Sequence, residues 1–280
     1  MLRALIALLL LATPAAAAEL KLATWNIAWL TTRPAGDPGL PPDVTRRAPE
    51  DLARLRAYAD RLAADVIALQ EVDGPEAAAL VLDPARWQFF FPAEEDVQRS
   101  AIAVRRGLPA AQNPDLAALD LRPTARFSLR RGVDVTVGEG ASRLRVLSLH
   151  LNAGCREHDD RGRACESIVE QAGLLVGWIE ARREAGEAFA LAGDFNRRFD
   201  RDPAILPALE RAAPLTRATA GRSNPCWGGR PFIDHILLGG PARGWLAENS
   251  LRVLVYAERG PEWRARLSDH CPVSVVLNIP

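Results

Sequence analysis

A chain of 280 residues, of which 48% are hydrophobic and 25% are charged, can bury a substantial core in one large domain or two small ones. That composition excludes a disordered, a fibrous or a polytopic membrane protein. The 35 basic and 35 acidic residues give a formal net charge of zero, so the chain as a whole is not attracted to nucleic acid or to anionic membranes. A binding site for a polyanion must therefore be a local patch.

The first 18 residues have the layout of a secretory signal peptide. Arg3 precedes the apolar run 4–12, and Pro14 leads into four alanines at 15–18. The run is shorter than the roughly 20 residues that a membrane-spanning helix needs. We therefore expect residues 1–18 to be removed on export, residues 19–280 to form a single domain, and the mature protein to be periplasmic or secreted.

Export would place the four cysteines in an oxidising compartment, where two disulfides are expected. Cys155 and Cys165 flank one short polar loop and are predicted to pair. A bond between Cys226 and Cys271 would brace the segments around Asp234 and His270, but the sequence leaves this second pairing open. No cysteine has the C-x-x-C spacing of a structural zinc site.

Strand and helix patterns alternate along the rest of the chain, which favours one α/β domain with strands of mixed direction. Apolar residues recur at helical spacing from Leu52 to Leu62 and from Ile168 to Ile179. Short apolar or alternating runs predict strands at 21–28, 66–69, 87–91, 101–104, 126–129, 133–137, 144–151, 188–192, 232–238, 251–255 and 273–279.

Polar residues that can carry chemistry stand at the ends of these apolar runs. An α/β sheet offers its ligand crevice at such strand ends. If they converge, the carboxylates and amides could hold a hard divalent cation, and the imidazoles could transfer protons. The residues are Asn26, Glu71, His150, Asn152, Asp194, Asn196, Asp234, Asp269 and His270.

Six motifs occur in a fixed order and make the pattern recognisable. They are Thr24-Trp25-Asn26-Ile27, Leu69-Gln70-Glu71-Val72, Ser148-Leu149-His150-Leu151-Asn152, Gly193-Asp194-Phe195-Asn196, Ile233-Asp234-His235-Ile236 and Ser268-Asp269-His270. With these motifs the chain resembles the endonuclease/exonuclease/phosphatase superfamily, which has the deoxyribonuclease I-like fold, from about residue 21 to its end. The resemblance implies a four-layered α/β sandwich, with two mixed β-sheets face to face and helices outside, and metal-dependent attack on a phosphoester.

The resemblance also implies the metal ligands. Glu71 matches the principal ligand of the family, and Asn26 and Asp269 match residues near the same ion. A site with few carboxylates, in which the ion keeps several of its waters, suits Mg²⁺. Mn²⁺ and Ca²⁺ are the alternatives.

The acid–base residues follow from the same resemblance. Asp234 matches the acid that orients the last histidine, so His270 is expected to handle the proton of the attacking water. Asp194 and Asn196 match the pair that positions the nucleophile and a phosphate oxygen.

His150 matches the second histidine of the secreted deoxyribonucleases, which assists the leaving oxygen. With Asn152 and Asn196 it would also contact the phosphate. The matching histidine in those enzymes pairs with a glutamate, whereas the nearest counterpart here is Gln98, whose amide does not stabilise an imidazolium as a carboxylate does. His235 should point to the opposite face of its strand from Asp234 and is interpreted as a structural residue or a residue of the rim, not as a catalytic one.

Three function classes remain. Export, His150 and the arginine-rich segment Arg122 to Arg131 favour a nuclease, with nucleic acid as the substrate of a monomeric enzyme. The alternative is a phosphatase or phospholipase C-type enzyme acting on a phosphosugar or a lipid head group. No long aromatic hairpin is present for insertion into lipid, so no stable membrane association is expected. A binding protein without activity is disfavoured because all six motifs keep their reactive residues.

Overall fold

The protein is described by a computed structural model covering residues 18–125, 128–155, 162–201 and 205–280. The expected signal peptide therefore lies outside the described residues, apart from Ala18, which begins the first strand. Within the described residues, no helix combines the length and the apolar character needed to cross a bilayer.

The described residues form twelve strands and five α-helices. The helices are α1 (Pro49–Leu62), α2 (Pro75–Ala78), α3 (Arg163–Glu184), α4 (Ile205–Ala212) and α5 (Glu262–Arg266). The strands are β1 (Ala18–Leu30), β2 (Val66–Val72), β3 (Trp87–Phe90), β4 (Arg99–Arg105), β5 (Ala110–Gln112), β6 (Val133–Val137), β7 (Leu144–His150), β8 (Phe189–Asp194), β9 (Leu215–Arg217), β10 (Asp234–Gly239), β11 (Arg252–Val253) and β12 (Val273–Ile279).

Two mixed sheets of six strands each carry the fold. One has the order β11-β12-β1-β2-β4-β3 and the other the order β5-β6-β7-β8-β10-β9. Each sheet contains one parallel pair, β1 with β2 and β7 with β8, while the other neighbouring strands are antiparallel. Parallel strands need a crossover connection, which α1 and α3 provide.

Alternate residues of the central strands enter two different cores, which explains why these strands are apolar on both faces. Leu22 of β1 lies between the sheets with Val146 and Ile236, whereas Trp25 points outward to a cluster that includes Leu55 of α1. The outer face of the second sheet packs on α3 and α4. The order helix, sheet, sheet, helix confirms the predicted four-layered α/β sandwich.

One predicted strand is wrong where the structure describes it. Ser128 and Leu129 have no regular structure, and residues 126–127 lie outside the described residues. The backbone N–H of Leu129 donates to Oδ1 of Asp120 at 3.0 Å instead of joining a sheet. This side-chain bond satisfies a backbone group that a strand would have paired.

Both disulfides are present. Cys155 is bonded to Cys165, as predicted, and Cys226 is bonded to Cys271, which settles the pairing that the sequence left open. The second bond joins the loop before β10 to the residue that follows His270. It therefore connects the two segments that carry Asp234 and His270.

His235 belongs to the core, as its place on β10 predicts. Its side chain is buried, Nδ1 lies 2.7 Å from the hydroxyl of Thr219, and Nε2 lies 3.0 Å from the carbonyl oxygen of Arg197. A neutral ring with its proton on Nε2 satisfies both partners, while Phe199 stacks on the ring at 4.3 Å. Burial lowers the pKa of His235 to about 4.

This environment predicts a loss of stability in acid. Between pH 6.5 and about 4 the unfolded chain binds a proton at His235 that the folded protein excludes. The contribution is complete above pH 6.5 and falls by about 1.4 kcal/mol per pH unit below it. Urea unfolding at a series of pH values should show a shallower pH slope for His235→Gln than for the wild type. Equal slopes would contradict a neutral, buried His235.

Candidate active site

The sheet topology brings the predicted polar residues to one edge of the sandwich. The parallel pairs place the C-terminal ends of β1 and β2, and of β7 and β8, at the same edge of their sheets, so that His150 pairs with Asp194. The antiparallel β10 starts there, with Asp234 opposite Asp194. β12 begins beside the end of β1, which brings in the segment ending at His270.

Irregular backbone aims the side chains at this edge. Ala28, Trp29, Glu71 and Asn196 have left-handed φ angles of 46°, 56°, 59° and 51°. The pairing of β1 with β2 also changes register between Asn26 and Leu30. Such conformations cost about 1–3 kcal/mol each and concentrate at functional sites, where they redirect side chains out of the regular strand alternation.

Gly193 permits the close contact of β7 with β8 at this edge. A Cβ atom at this position would collide with the carbonyl oxygen of Leu149. Only glycine therefore lets the backbones approach here, one residue before His150 and Asp194 face each other.

Asn26 joins the carboxylates of the two sheets. Its side-chain nitrogen donates to Oε1 of Glu71 at 3.0 Å and to Oδ2 of Asp194 at 3.2 Å. Its oxygen accepts the backbone N–H of Ala28 at 2.9 Å. The N–H of Trp29 donates to the other oxygen of Glu71 at 3.2 Å. The Glu71 carboxylate is thus held from both sides.

His270 and Asp234 form the predicted pair. Nδ1 of His270 lies 2.9 and 3.0 Å from the two oxygens of Asp234, which leaves Nε2 facing Oδ2 of Asp194 at 3.6 Å. Burial alone would lower the pKa of His270, but the charges of Asp234 and Asp194 outweigh it and hold this pKa well above its ordinary value. Ser268 supports the turn, because its hydroxyl accepts the N–H of His270 and donates to the carbonyl of Asn26.

Asp194 lies between the two histidines. Its Oδ2 is 3.7 Å from Nε2 of His150 and 3.6 Å from Nε2 of His270, and its Oδ1 accepts the N–H of Asn196 at 2.8 Å. Burial raises the pKa of Asp194 to about 7, with Asp234 adding to the rise and His270 opposing it. A carboxylate between two imidazoles can accept a hydrogen bond from a water molecule that either ring also contacts.

His150 has a different environment from the one predicted. The side chain is buried, and among the described residues its Nδ1 has no hydrogen-bond partner, so Gln98 does not support it there. Burial, the charge of Arg130 and that of His270 lower the pKa of His150 well below its ordinary value. A neutral His150 can donate one hydrogen bond to a phosphate oxygen, but it has no second proton to give.

Arg130 is the residue beside His150 that sequence reasoning missed. It is buried, donates from Nη2 to the carbonyl of Leu151 at 3.1 Å, and feels the charges of Glu71 and Asp194. It belongs to an arginine-rich stretch, and composition alone did not distinguish it from its neighbours. Arg130 is buried by tertiary packing, which the local sequence does not reveal.

Two predicted residues stand apart from the central cluster. The Asn152 amide donates to the carbonyl of Ala164 at 3.3 Å, so it is turned toward the start of α3. The Asp269 side chain is 62% exposed, and its Oδ1 lies 3.9 Å from Nε2 of His270. Within the described residues, no hydrogen bond joins Asp269 to Asn26 or Glu71.

The carboxylates fit a hard divalent cation. Glu71 and Asp269 offer oxygen ligands, and Mg²⁺ is commonly held by one or two carboxylates together with waters and substrate phosphate. Asn26 presents its nitrogen to Glu71 and its oxygen to the N–H of Ala28, so here it orients the Glu71 carboxylate. Ligand atoms of Asp194, Asp234 and His270 also lie within 4.8 Å of one another, but Nδ1 of His270 is already committed to Asp234.

Arg47 was also missed, and it ties the two segments that flank the site. Its guanidinium reaches five backbone carbonyls, three just after Asn26 and two just before Ser268. Burial lowers the pKa of Arg47 to about 10, so it stays charged at neutral pH. The acceptors are Ile27 at 2.6 Å, Ala28 and Leu267 at 2.7 Å, Arg266 at 3.2 Å and Trp29 at 3.3 Å.

Arg47→Met should lower kcat about 10- to 100-fold, because a small displacement of the site segments disrupts alignment. The free energy of unfolding should also fall by at least about 2 kcal/mol, because buried carbonyls lose their donor. Arg47→Lys keeps the charge and should give intermediate values. Arg46→Met, which alters the exposed neighbour, is the matched control for kinetics and urea unfolding. Equal behaviour of the Arg46 and Arg47 variants would exclude this role.

The fold is similar to that of several solved structures, whereas no curated protein matches the sequence. TDP2 from C. elegans has a TM-score of 0.65 and 16% identity over 93% of this chain and 75% of its own. D. rerio TDP2, solved with a single-strand DNA product, has a TM-score of 0.58 and 16% identity, and the match covers 93% of this chain and 99% of its own. The AP endonuclease LMAP from Leishmania major has a TM-score of 0.58 and 15% identity, and the match covers 94% of this chain and 88% of its own.

At identities this low, the similarity to these structures establishes the deoxyribonuclease I-like fold and nothing finer. The family itself is shown by a different comparison. A family model matches residues 23–270, which is most of the chain. The protein therefore belongs to the endonuclease/exonuclease/phosphatase family.

Proposed function

We propose that the protein is an exported, divalent-metal-dependent phosphodiesterase that hydrolyses nucleic acid by attack of water. Members of its family hydrolyse phosphoester bonds. The observation that carries the proposal is the position of Asp194, 3.6 Å from Nε2 of a His270 whose Nδ1 is held by Asp234. Glu71 lies at the same edge, linked to Asp194 through Asn26.

The proton chemistry belongs to His270 and Asp194. With Nδ1 bonded to Asp234, Nε2 of His270 is the nitrogen that takes the proton of the attacking water; because the pKa of His270 is raised, this step uses the fraction of His270 that has first lost its proton at Nε2. Asp194 orients that water by accepting its second hydrogen. Asn196, whose amide is anchored by its bond to the carbonyl of Leu151, is proposed to help position the nucleophile and a phosphate oxygen.

A cation would be held by Glu71 and Asp269, with Asn26 orienting Glu71. When bound, it supplies positive charge that neutralises the phosphate and the negative charge that develops during hydrolysis. Neutral His150 donates a hydrogen bond to a phosphate oxygen, and the buried guanidinium of Arg130 adds positive charge behind it. Asn152 stays a proposed phosphate contact, although in the structure its amide donates to the carbonyl of Ala164.

A substrate panel tests this proposal. The purified mature protein, with Mg²⁺ or Mn²⁺, is offered plasmid DNA, RNA, sphingomyelin and bis-p-nitrophenyl phosphate. We expect cleavage of a nucleic acid and of the small diester. Cleavage of sphingomyelin alone would instead favour the lipid alternative. An identically prepared His270→Ala variant controls for nucleases carried over from the expression host.

Export is part of the proposal and is supported by the two disulfides, which persist in oxidising compartments. Mass spectrometry of exported protein should find a mature terminus near Glu19. An intact terminus at Met1 or Leu2 would contradict it. A monomer is proposed as well, because Val169 is the one large hydrophobic side chain exposed among the described residues.

A further inference from the structure

A cleft opens directly beside His270, between the loop that precedes β10 and helix α5. We call it the arginine cleft. It has a volume of about 140 Å³. The Cys226–Cys271 disulfide forms part of its wall and fixes the loop against the segment that carries His270. Its lining includes Arg198, Trp227, Arg230, Arg264, Asp269 and His270.

Three separate segments each contribute one arginine to this cleft. Arg198 follows β8, Arg230 precedes β10, and Arg264 lies in α5. The acids in the lining are Asp234, which is bonded to His270, and the exposed Asp269. With Asp234 paired to His270, Arg230 and Arg264 outnumber the one remaining acid, Asp269, along the wall next to the reactive imidazole.

Arg264 is held in place without being neutralised. Its Nη2 donates to the carbonyl of Trp227 at 3.1 Å, and its guanidinium lies 5.6 Å from the centre of the Trp227 ring. Within the part of the chain that the structure describes, neither Arg264 nor Arg230 forms an ion pair. Arg266, two residues further, is paired with Asp51 at 2.7 Å. A fixed, unneutralised guanidinium is suited to an anionic ligand.

The charge is unequal on the two sides of Arg264. A second cleft shares Arg264 and Asp269 with the arginine cleft, but its other lining residues include Trp29, Asp43 and Pro261 and add no further arginine. An extended substrate crossing the site would thus meet positive charge mainly on the side of Arg230. The asymmetry favours an anionic group on that side of the phosphate that is hydrolysed.

We propose that the arginine cleft binds a second phosphate group of the substrate. Guanidinium groups bind phosphate through paired, charge-assisted hydrogen bonds, and a cleft next to His270 lies within reach of a group one linkage away from the reacting phosphorus. The inference rests on the proposed function and narrows it. The substrate class becomes a phosphodiester that carries a further phosphate, either as an internal linkage of a strand or as a terminal phosphomonoester.

Equilibrium binding tests the cleft without requiring turnover. The wild type should bind thymidine 3′,5′-bisphosphate about tenfold more tightly than thymidine 5′-monophosphate or thymidine 3′-monophosphate, since one charge-assisted contact is worth about that factor. Arg230→Ala and Arg264→Ala should remove most of this advantage. Arg222→Ala should retain it, because Arg222 is exposed on the same stretch of chain but lines a different hollow.

Kinetics then distinguish the two sources of the second phosphate. The kcat/KM values are compared for TpT, for pTpT and TpTp with a terminal phosphate, and for TpTpT with an internal one. A kcat/KM higher than that of TpT, which is lost when Arg230 or Arg264 is replaced, supports phosphate binding in the arginine cleft. The substrate that shows it identifies the second phosphate as terminal or internal. Equal affinity for the mono- and bisphosphates, or an advantage unaffected in both variants, would overturn the proposal. Failure to hydrolyse any diester would instead contradict the proposed function, while the binding result still decides the cleft.

Discussion

His270→Ala is expected to lower kcat about 10²- to 10⁴-fold on a small phosphodiester, the range that general acid–base catalysis contributes. Both oxygens of Asp234 hold Nδ1, so Nε2 is the atom that exchanges the proton, and the substitution removes it entirely. The effect of His150→Ala should be smaller. A neutral His150 with no partner at Nδ1 among the described residues supplies a hydrogen bond and no second proton.

Asp234→Asn tests whether the pair acts as a unit. The substitution removes the charge that orients and stabilises the imidazole, so it should lose much of the same rate factor. The double variant Asp234→Asn/His270→Ala should be little worse than His270→Ala alone, because residues that act together are not additive. Multiplying effects, or a larger loss from His150→Ala, would show that the assigned roles are wrong.

Glu71→Gln is expected to reduce turnover by at least about 100-fold and to weaken Mg²⁺ binding in a calorimetric titration. The substitution keeps the shape but removes the charge. It also replaces one carboxylate oxygen by an NH₂ group, although both oxygens accept hydrogen bonds, from Asn26 and from Trp29. Orientation and charge are therefore lost together.

Glu76→Gln makes the same chemical change on an exposed side chain of α2 and is the matched control. Far-ultraviolet circular dichroism should show that both variants remain folded. If Glu71→Gln retains full activity at saturating Mg²⁺, Glu71 does not belong to the metal site.

The central strands could be predicted because each combines an apolar run, which the core buries, with a polar residue at its end, which the site uses. In β2, the residues from Val66 to Leu69 are buried on both faces of the sheet, and Glu71 is the first residue of the strand that is partly exposed. The same pattern of a buried run followed by an acid places Asp194 at the end of β8. His235 could be recognised as structural because its side chain alternates with that of Asp234 along β10.

Other features depend on tertiary contacts that have no local signature. The strands β5 and β9 have three residues each and pair at sheet edges, so they show too few alternations to be detected. The left-handed φ of Glu71 occurs at a residue type that rarely adopts it and is imposed by the surrounding packing. Arg47 binds backbone carbonyls of residues that lie more than 200 positions apart in the sequence. Because any residue type offers a backbone carbonyl, the sequence does not indicate this contact.

Hydrolysis of bis-p-nitrophenyl phosphate in ¹⁸O-labelled water shows whether water attacks phosphorus in a metal-dependent reaction. With Mg²⁺ present, we expect one ¹⁸O atom in the phosphomonoester product, no label in the nitrophenol, and no reaction after chelation of the metal. Turnover that persists in a chelator, or an unlabelled phosphate product, would contradict metal-dependent attack of water at phosphorus.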